Sequence, residues 1–148
     1  MRHARRRFVQ LGVAALGLMA TMRAWAAWPK AAFDGKTQKE VVDALLSGGA
    51  VEVSAAVRLI APDIAENGGV VPITVQTDLK DIESITIIAP KNPRALVATY
   101  KFGKFASPPL STRIKMSSTQ DIVAIVKAQG KLYSASKQIK VTVGGCGG

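Results

Sequence analysis

The chain has 148 residues, with 20 Lys and Arg against 10 Asp and Glu, a formal net charge of +10, one cysteine and one histidine. A single cysteine excludes an internal disulfide framework, and one Cys with one His excludes a zinc or iron–sulfur site of the usual ligand types. The length suits one domain with a core of its own, and no internal repeat or second domain is visible.

Residues 1–26 read as an address and not as structure. Arg5-Arg6-Arg7-Phe8-Val9-Gln10 places paired arginines ahead of an apolar run, and Ala24-Trp25-Ala26 follows as a small-residue cleavage site. Basic region, apolar region and A-x-A site in that order predict a cleavable signal peptide. The paired arginines predict the twin-arginine export route and a periplasmic product, with no membrane attachment after cleavage. The apolar run is too short to span a bilayer comfortably. Its removal takes His3 and five arginines, so the mature chain has no histidine and its formal net charge falls from +10 to +5.

Residues 27–53 are expected to hold a leader and one short helix. Thr37 and Glu40 stand at capping-box spacing, which satisfies backbone amides at a helix start. Val41, Val42, Leu45 and Leu46 make an apolar stripe at helical spacing, and Ser47-Gly48-Gly49 ends it.

From Ser54 the apolar residues recur every second position. Strands are expected over residues 57–61, around Val71, Ile73 and Val75, and over 82–89, 96–102, 112–117, 122–128 and 139–143, with 62–69 as a loop. Pro72 lacks an amide proton and belongs near a strand start or a sheet edge. Gln129-Gly130 separates a hairpin partner that begins at Lys131. Seven or eight short runs with regular turn signals predict an all-β, immunoglobulin-like antiparallel β-sandwich over residues 54–143. No Cys…Trp…Cys spacing is present, so an antibody-type domain is excluded. One short N-terminal helix and a flexible, Gly-rich arm over residues 144–148 complete the expected architecture.

Charge is unevenly spread. Residues 27–90 carry five Lys and Arg against nine Asp and Glu, whereas residues 91–148 carry ten against Asp121 alone. Arg113, Lys115, Lys127, Lys131, Lys137 and Lys140 therefore stand on strands near the arm. Such a field would steer an anion or an acidic partner; alternating lysines also guard sheet edges or simply face water, and both readings stay open. Export and an aromatic content of 5% argue against nucleic acid as a partner.

Absences narrow the chemistry. Without a mature histidine there is no Ser-His-Asp or Cys-His nucleophile pair, and no Gly-rich phosphate loop opens a helix. Asp78, Asp81 and Glu83 lie close in sequence but read as solvated acids on a turn. No metal or cofactor is expected. What remains is Cys146, in Gly144-Gly145-Cys146-Gly147-Gly148. Four glycines oppose packed structure, and three extended residues beyond Val143 carry the thiol roughly 10 Å from the body. An unperturbed thiol has a pKa of ~8.5, and neither a helix N-terminus nor a neighbouring cation lowers it here. The sulfur is presented rather than activated. That disfavours a one-cysteine thiol enzyme and leaves two readings open: a covalent carrier, or a structural or adhesive domain dimerising through a terminal disulfide.

The Val141-Thr142-Val143-Gly144-Gly145-Cys146-Gly147-Gly148 terminus resembles the SoxY family of sulfur-oxidation carriers. The block Ser111-Thr112-Arg113-Ile114-Lys115-Met116, the run from Ala61 to Gly68 with Val71-Pro72-Ile73, and the twin-arginine leader are also similar to that family. The resemblance implies a carrier with no catalytic residue of its own, bound to a smaller β-sandwich subunit, SoxZ. It implies Cys146 as the covalent attachment point for thiosulfate and sulfane sulfur, with Gly144, Gly145, Gly147 and Gly148 as the arm. It further implies transient partners: a c-type cytochrome, SoxAX, that joins thiosulfate to the thiol; a hydrolase, SoxB, that releases sulfate; and a sulfane dehydrogenase, SoxCD.

Overall fold

The period-two alternation after Ser54 resolves into two packed sheets in the computed structural model, which describes residues 29–142. The expected signal peptide and the Gly144–Gly148 arm lie outside the described residues.

Among the described residues two helices precede the sheets, where one was expected. The first, α1 (Lys30–Asp34), is a single turn following Pro29. The second, α2 (Gln38–Leu46), starts as its sequence requires: the Thr37 side chain accepts from the Glu40 amide at 3.2 Å. Glu40 Oε2 in turn accepts from the Lys36 amide at 2.8 Å, one residue upstream of the usual capping-box partner. Ser47 and Gly48 take left-handed backbone at φ 63 and 67, and that reversal ends the helix.

Nine strands follow among the described residues. They are β1 (Val51–Val53), β2 (Val57–Ile60), β3 (Ile64–Ala65), β4 (Val71–Thr77) and β5 (Ile82–Ile88), then β6 (Leu96–Lys101), β7 (Leu110–Ile114), β8 (Gln120–Ala128) and β9 (Lys131–Val141). The larger sheet has the order β1-β9-β8-β5-β6, with β3 also on β9, and the smaller sheet has the order β2-β4-β7. This is the all-β sandwich expected, with two additions. The segments β1 and β3 pair parallel to the outer edge of β9, whereas every other pairing is antiparallel. The sheet therefore begins at Val51, within the stretch expected to be leader, and β3 occupies part of the expected loop over 62–69.

Strand β9 runs unbroken for eleven residues, where two separate strands were expected. Gln129 and Gly130 have φ 51 and 72, the paired left-handed backbone of a tight hairpin turn, and β9 returns alongside β8 from Ala128↔Lys131 to Gln120↔Ile139. Pro72 is the second residue of β4. It pairs with Arg113 on β7, while β2 reaches only Thr74, so no second strand needs its missing amide.

Two apolar clusters hold the layers. Val57, Val71, Ile73 and Val75 from the small sheet meet Ile85, Ile87, Ile122 and Ile139 from the large one. On the outer face of the large sheet, Val41, Val42 and Leu46 of α2 cover Ile88, Leu96, Ile125 and Leu132. Each fully buried Ile or Leu contributes ~1.5–3 kcal/mol. The helix cover stops short of the end where β9 finishes. There the outward residues Ser136, Gln138 and Lys140 are exposed.

Candidate functional site

Strand β9 is the element that delivers the chain to Cys146, and its last residues are held on both edges. On the β8 side the strand partner has run out, because pairing stops at Gln120↔Ile139. Thr119 takes over: its Oγ1 accepts from the Val141 amide at 2.9 Å. On the other side β3 and the residues flanking it supply carbonyls in sequence. Asp63 O accepts from the Lys140 amide at 2.9 Å, and Ala65 O from the Thr142 amide at 3.1 Å. Glu66 O accepts from Thr142 Oγ1 at 3.0 Å. The backbone is thus pinned through Thr142, two residues before the first glycine of the motif.

Thr119 is itself fixed by a polar network. Lys91 Nζ donates to Thr119 O at 3.1 Å. Gln120, 2% exposed, accepts from the Lys91 amide at 2.8 Å and donates to Asn92 Oδ1 at 3.0 Å. Asn92 Oδ1 also accepts from the Ser117 amide at 2.9 Å, and Asn92 Nδ2 donates to Lys115 O at 2.8 Å. The loop before β6 and the loop before β8 are joined in this way beneath the end of β9.

Cys146, Gly144, Gly145, Gly147 and Gly148 lie outside the described residues. Covalent geometry still bounds them. Cys146 is four residues on from Thr142, so the two α-carbons are at most ~14 Å apart.

The six cations expected near the arm are divided by the fold. Lys127 Nζ pairs with Glu83 at 2.9 Å, and Lys131 opens β9, both at the far end of the sandwich. Lys137 Nζ is engaged by Asp63 at 3.0 Å and by Ala61 O at 2.6 Å. Arg113, Lys115 and Lys140 remain exposed at the end where β9 finishes, and Lys91 joins them there. For Lys127 and Lys137 a local ion pair has won over a shared field.

The neighbouring acids are likewise partnered. Arg58 forks onto Asp78 at 2.7 and 3.2 Å, Gln129 Nε2 donates to Asp81 at 3.3 Å, and Glu83 accepts from the Gly130 amide at 3.0 Å. The Arg58 hydrogen bonds hold the Asp78 carboxyl below its ordinary range. Lys127 and then the Gly130 amide do the same for Glu83. These acids border an open groove at the far end, also lined by Lys101 and Lys104.

Sequence reasoning found the thiol but missed the groups that anchor its strand. Ser118 and Thr119 fall between the strands expected over 112–117 and 122–128, and only the register of β8 on β9 reveals that Thr119 replaces a missing strand partner. Thr119→Val keeps the side-chain shape and removes the acceptor. We expect a loss of about 1 kcal/mol and faster hydrogen exchange at the Val141 amide, with Thr119→Ser retaining protection. Unchanged exchange at Val141 in the valine variant would show that the bond does not hold the strand end.

Comparison with known proteins bears on the same segment. The family model "Sulfur oxidation protein SoxY" matches residues 42–146. No curated protein matches the chain. Among solved structures, the sulfur carrier protein SoxY from Chlorobium limicola f thiosulfatophilum is similar, with 36% identity and a TM-score of 0.64. The likeness covers 70% of this chain and 94% of that one.

Proposed function

The chain belongs to the SoxY family of sulfur-oxidation proteins, and from that premise we propose that it is the covalent carrier of inorganic sulfur intermediates, with Cys146 as the attachment point. The observation that carries this reading is the lone thiol, set four residues beyond a strand end pinned by Thr119, Ala65 and Glu66. A carrier has to extend its cargo into other proteins while its body stays outside, and a pinned root with a glycine-flanked sulfur suits that task.

Loading is an oxidation. The thiol and thiosulfate join through a new S–S bond, the thiol proton is released, and two electrons pass to a c-type cytochrome partner. Water then cleaves the terminal sulfone as sulfate and leaves a persulfide on Cys146. In this reading the protein works in the periplasm after twin-arginine export. It works beside a SoxZ-like β-sandwich subunit, and SoxAX-, SoxB- and SoxCD-like enzymes visit the arm in turn. It supplies no catalytic group of its own.

Intact-mass spectrometry on protein recovered from the exported compartment of cells oxidising thiosulfate tests this. The expected result is a set of adducts with sulfur or thiosulfate mass that disappear on reduction. A single unmodified mass, or a disulfide homodimer alone, would overturn the carrier reading.

A further inference from the structure

We propose that the segment from Asp63 to Val70 is the docking surface for the enzyme that loads Cys146, and that its exposed aliphatic side chains Ile64 and Val70 set the affinity of that encounter. The proposal rests on the carrier reading above.

Reach sets the first constraint. The Cys146 α-carbon is held within ~14 Å of Thr142. An enzyme that acts on the sulfur must bring its reacting group inside that radius, and its surface then meets whatever surrounds Thr142. The carbonyls of Ala65 and Glu66 hold Thr142 directly, so the segment that carries them is at the centre of the contact.

That segment displays apolar surface where its pattern calls for none. In β3, Ala65 turns into the core and Ile64 turns outward beside Lys140, with 56% of its surface exposed. Val70 is 57% exposed at the other end of the same loop. Aliphatic side chains left in water on a loop of fixed shape suit protein contact. The shape is fixed here: Asn67 Oδ1 accepts from the Gly69 amide at 2.7 Å, and Gly68 O from the Met116 amide at 2.7 Å. The surface is therefore ordered before any partner arrives. Lys140 and Lys115 are exposed at the same end, and so are Asp63 and Glu66 of the segment itself, so the aliphatic side chains stand within a rim of mixed charge, the arrangement of a protein contact with an apolar centre.

A control is built into the fold. Phe105 is 97% exposed, more than either aliphatic, but it sits in the loop between β6 and β7 at the opposite end of the sandwich. Eleven residues of β9 separate the two ends, roughly 35 Å at ~3.3 Å per residue. Phe105 is out of reach of any enzyme seated on the arm.

The test is steady-state loading of the full chain, with its partner subunit, by the thiosulfate-conjugating enzyme. Three forms are compared: wild type, Ile64→Thr/Val70→Thr, and Phe105→Ser. Threonine keeps the β-branch, so the backbone pairing of β3 is preserved. The double variant is expected to raise KM by about tenfold with kcat within twofold. Phe105→Ser should match wild type, and all three should react alike with a small maleimide. Unchanged KM in the double variant overturns the proposal. So does a KM rise in Phe105→Ser alone, or a change in oligomeric mass or subunit retention as the main effect of the double variant. A wild-type chain that takes up no thiosulfate under the same conditions overturns the carrier reading itself, a result distinct from all of these.

Discussion

Cys146→Ser is expected to abolish every sulfur adduct on the protein while leaving the sandwich intact. The chain has one cysteine, so no second thiol can stand in. Serine matches the thiol in shape and keeps a nucleophilic atom, but its oxygen cannot form the S–S bond that a two-electron oxidation with thiosulfate requires. At pH 7 a few per cent of an ordinary thiol is thiolate, whereas a serine hydroxyl stays protonated. The loss should therefore be complete within detection and not merely a slower reaction. Stability should be nearly unchanged, because both core clusters are assembled from residues between Ala32 and Ile139. Intact mass before and after reductant reads the first point, and thermal unfolding reads the second. A serine variant that still gains thiosulfate mass would sink the assignment of Cys146.

The parts of this design that were legible in the sequence are those written in local chemistry. Thr37 with Glu40 announces a helix start, and Gln129-Gly130 announces a hairpin; both need particular residues whatever the rest of the chain does. The thiol was legible by composition, being the only one. The parts not legible depend on partners distant in sequence. Strands β1 and β3 have three and two residues, too few to show alternation, and they exist because β9 offers them an edge. The middle of β9 is Ser134-Ala135-Ser136-Lys137-Gln138, small and polar residues that advertise no strand. Their strand conformation comes from pairing with Ile125 through Asp121 on β8. Charge was misleading for a related reason. Counting lysines along the chain cannot reveal that Lys137 meets Asp63, or Lys127 meets Glu83, across tens of residues.

The second large effect is expected from a residue with no motif around it. Asn92→Ala should cost about 2 kcal/mol and lower the melting temperature by roughly 5–10 °C. Backbone donors fix the orientation of the amides: the Ser117 amide must face an oxygen on Asn92, as the Lys91 amide must face one on Gln120. Truncation at Asn92 leaves the Ser117 amide and the Lys115 carbonyl without these partners, and leaves the buried Gln120 Nε2 with only a longer contact, 3.3 Å to Ser118 O. Leaving buried polar groups short of partners costs more than the deleted bonds themselves contributed. Asn92→Asp separates the two halves of the network. It keeps the oxygen that Ser117 and Gln120 use, but it sets a carboxylate oxygen against Lys115 O, so a smaller loss is expected. The effect should travel to the arm root, since the loop that Asn92 braces is the loop that presents Thr119 to Val141. Hydrogen exchange should then quicken at Val141 in Asn92→Ala although that residue is untouched. If Asn92→Ala melts within 2 °C of wild type, or Val141 stays protected while stability falls, the brace and the arm root are independent.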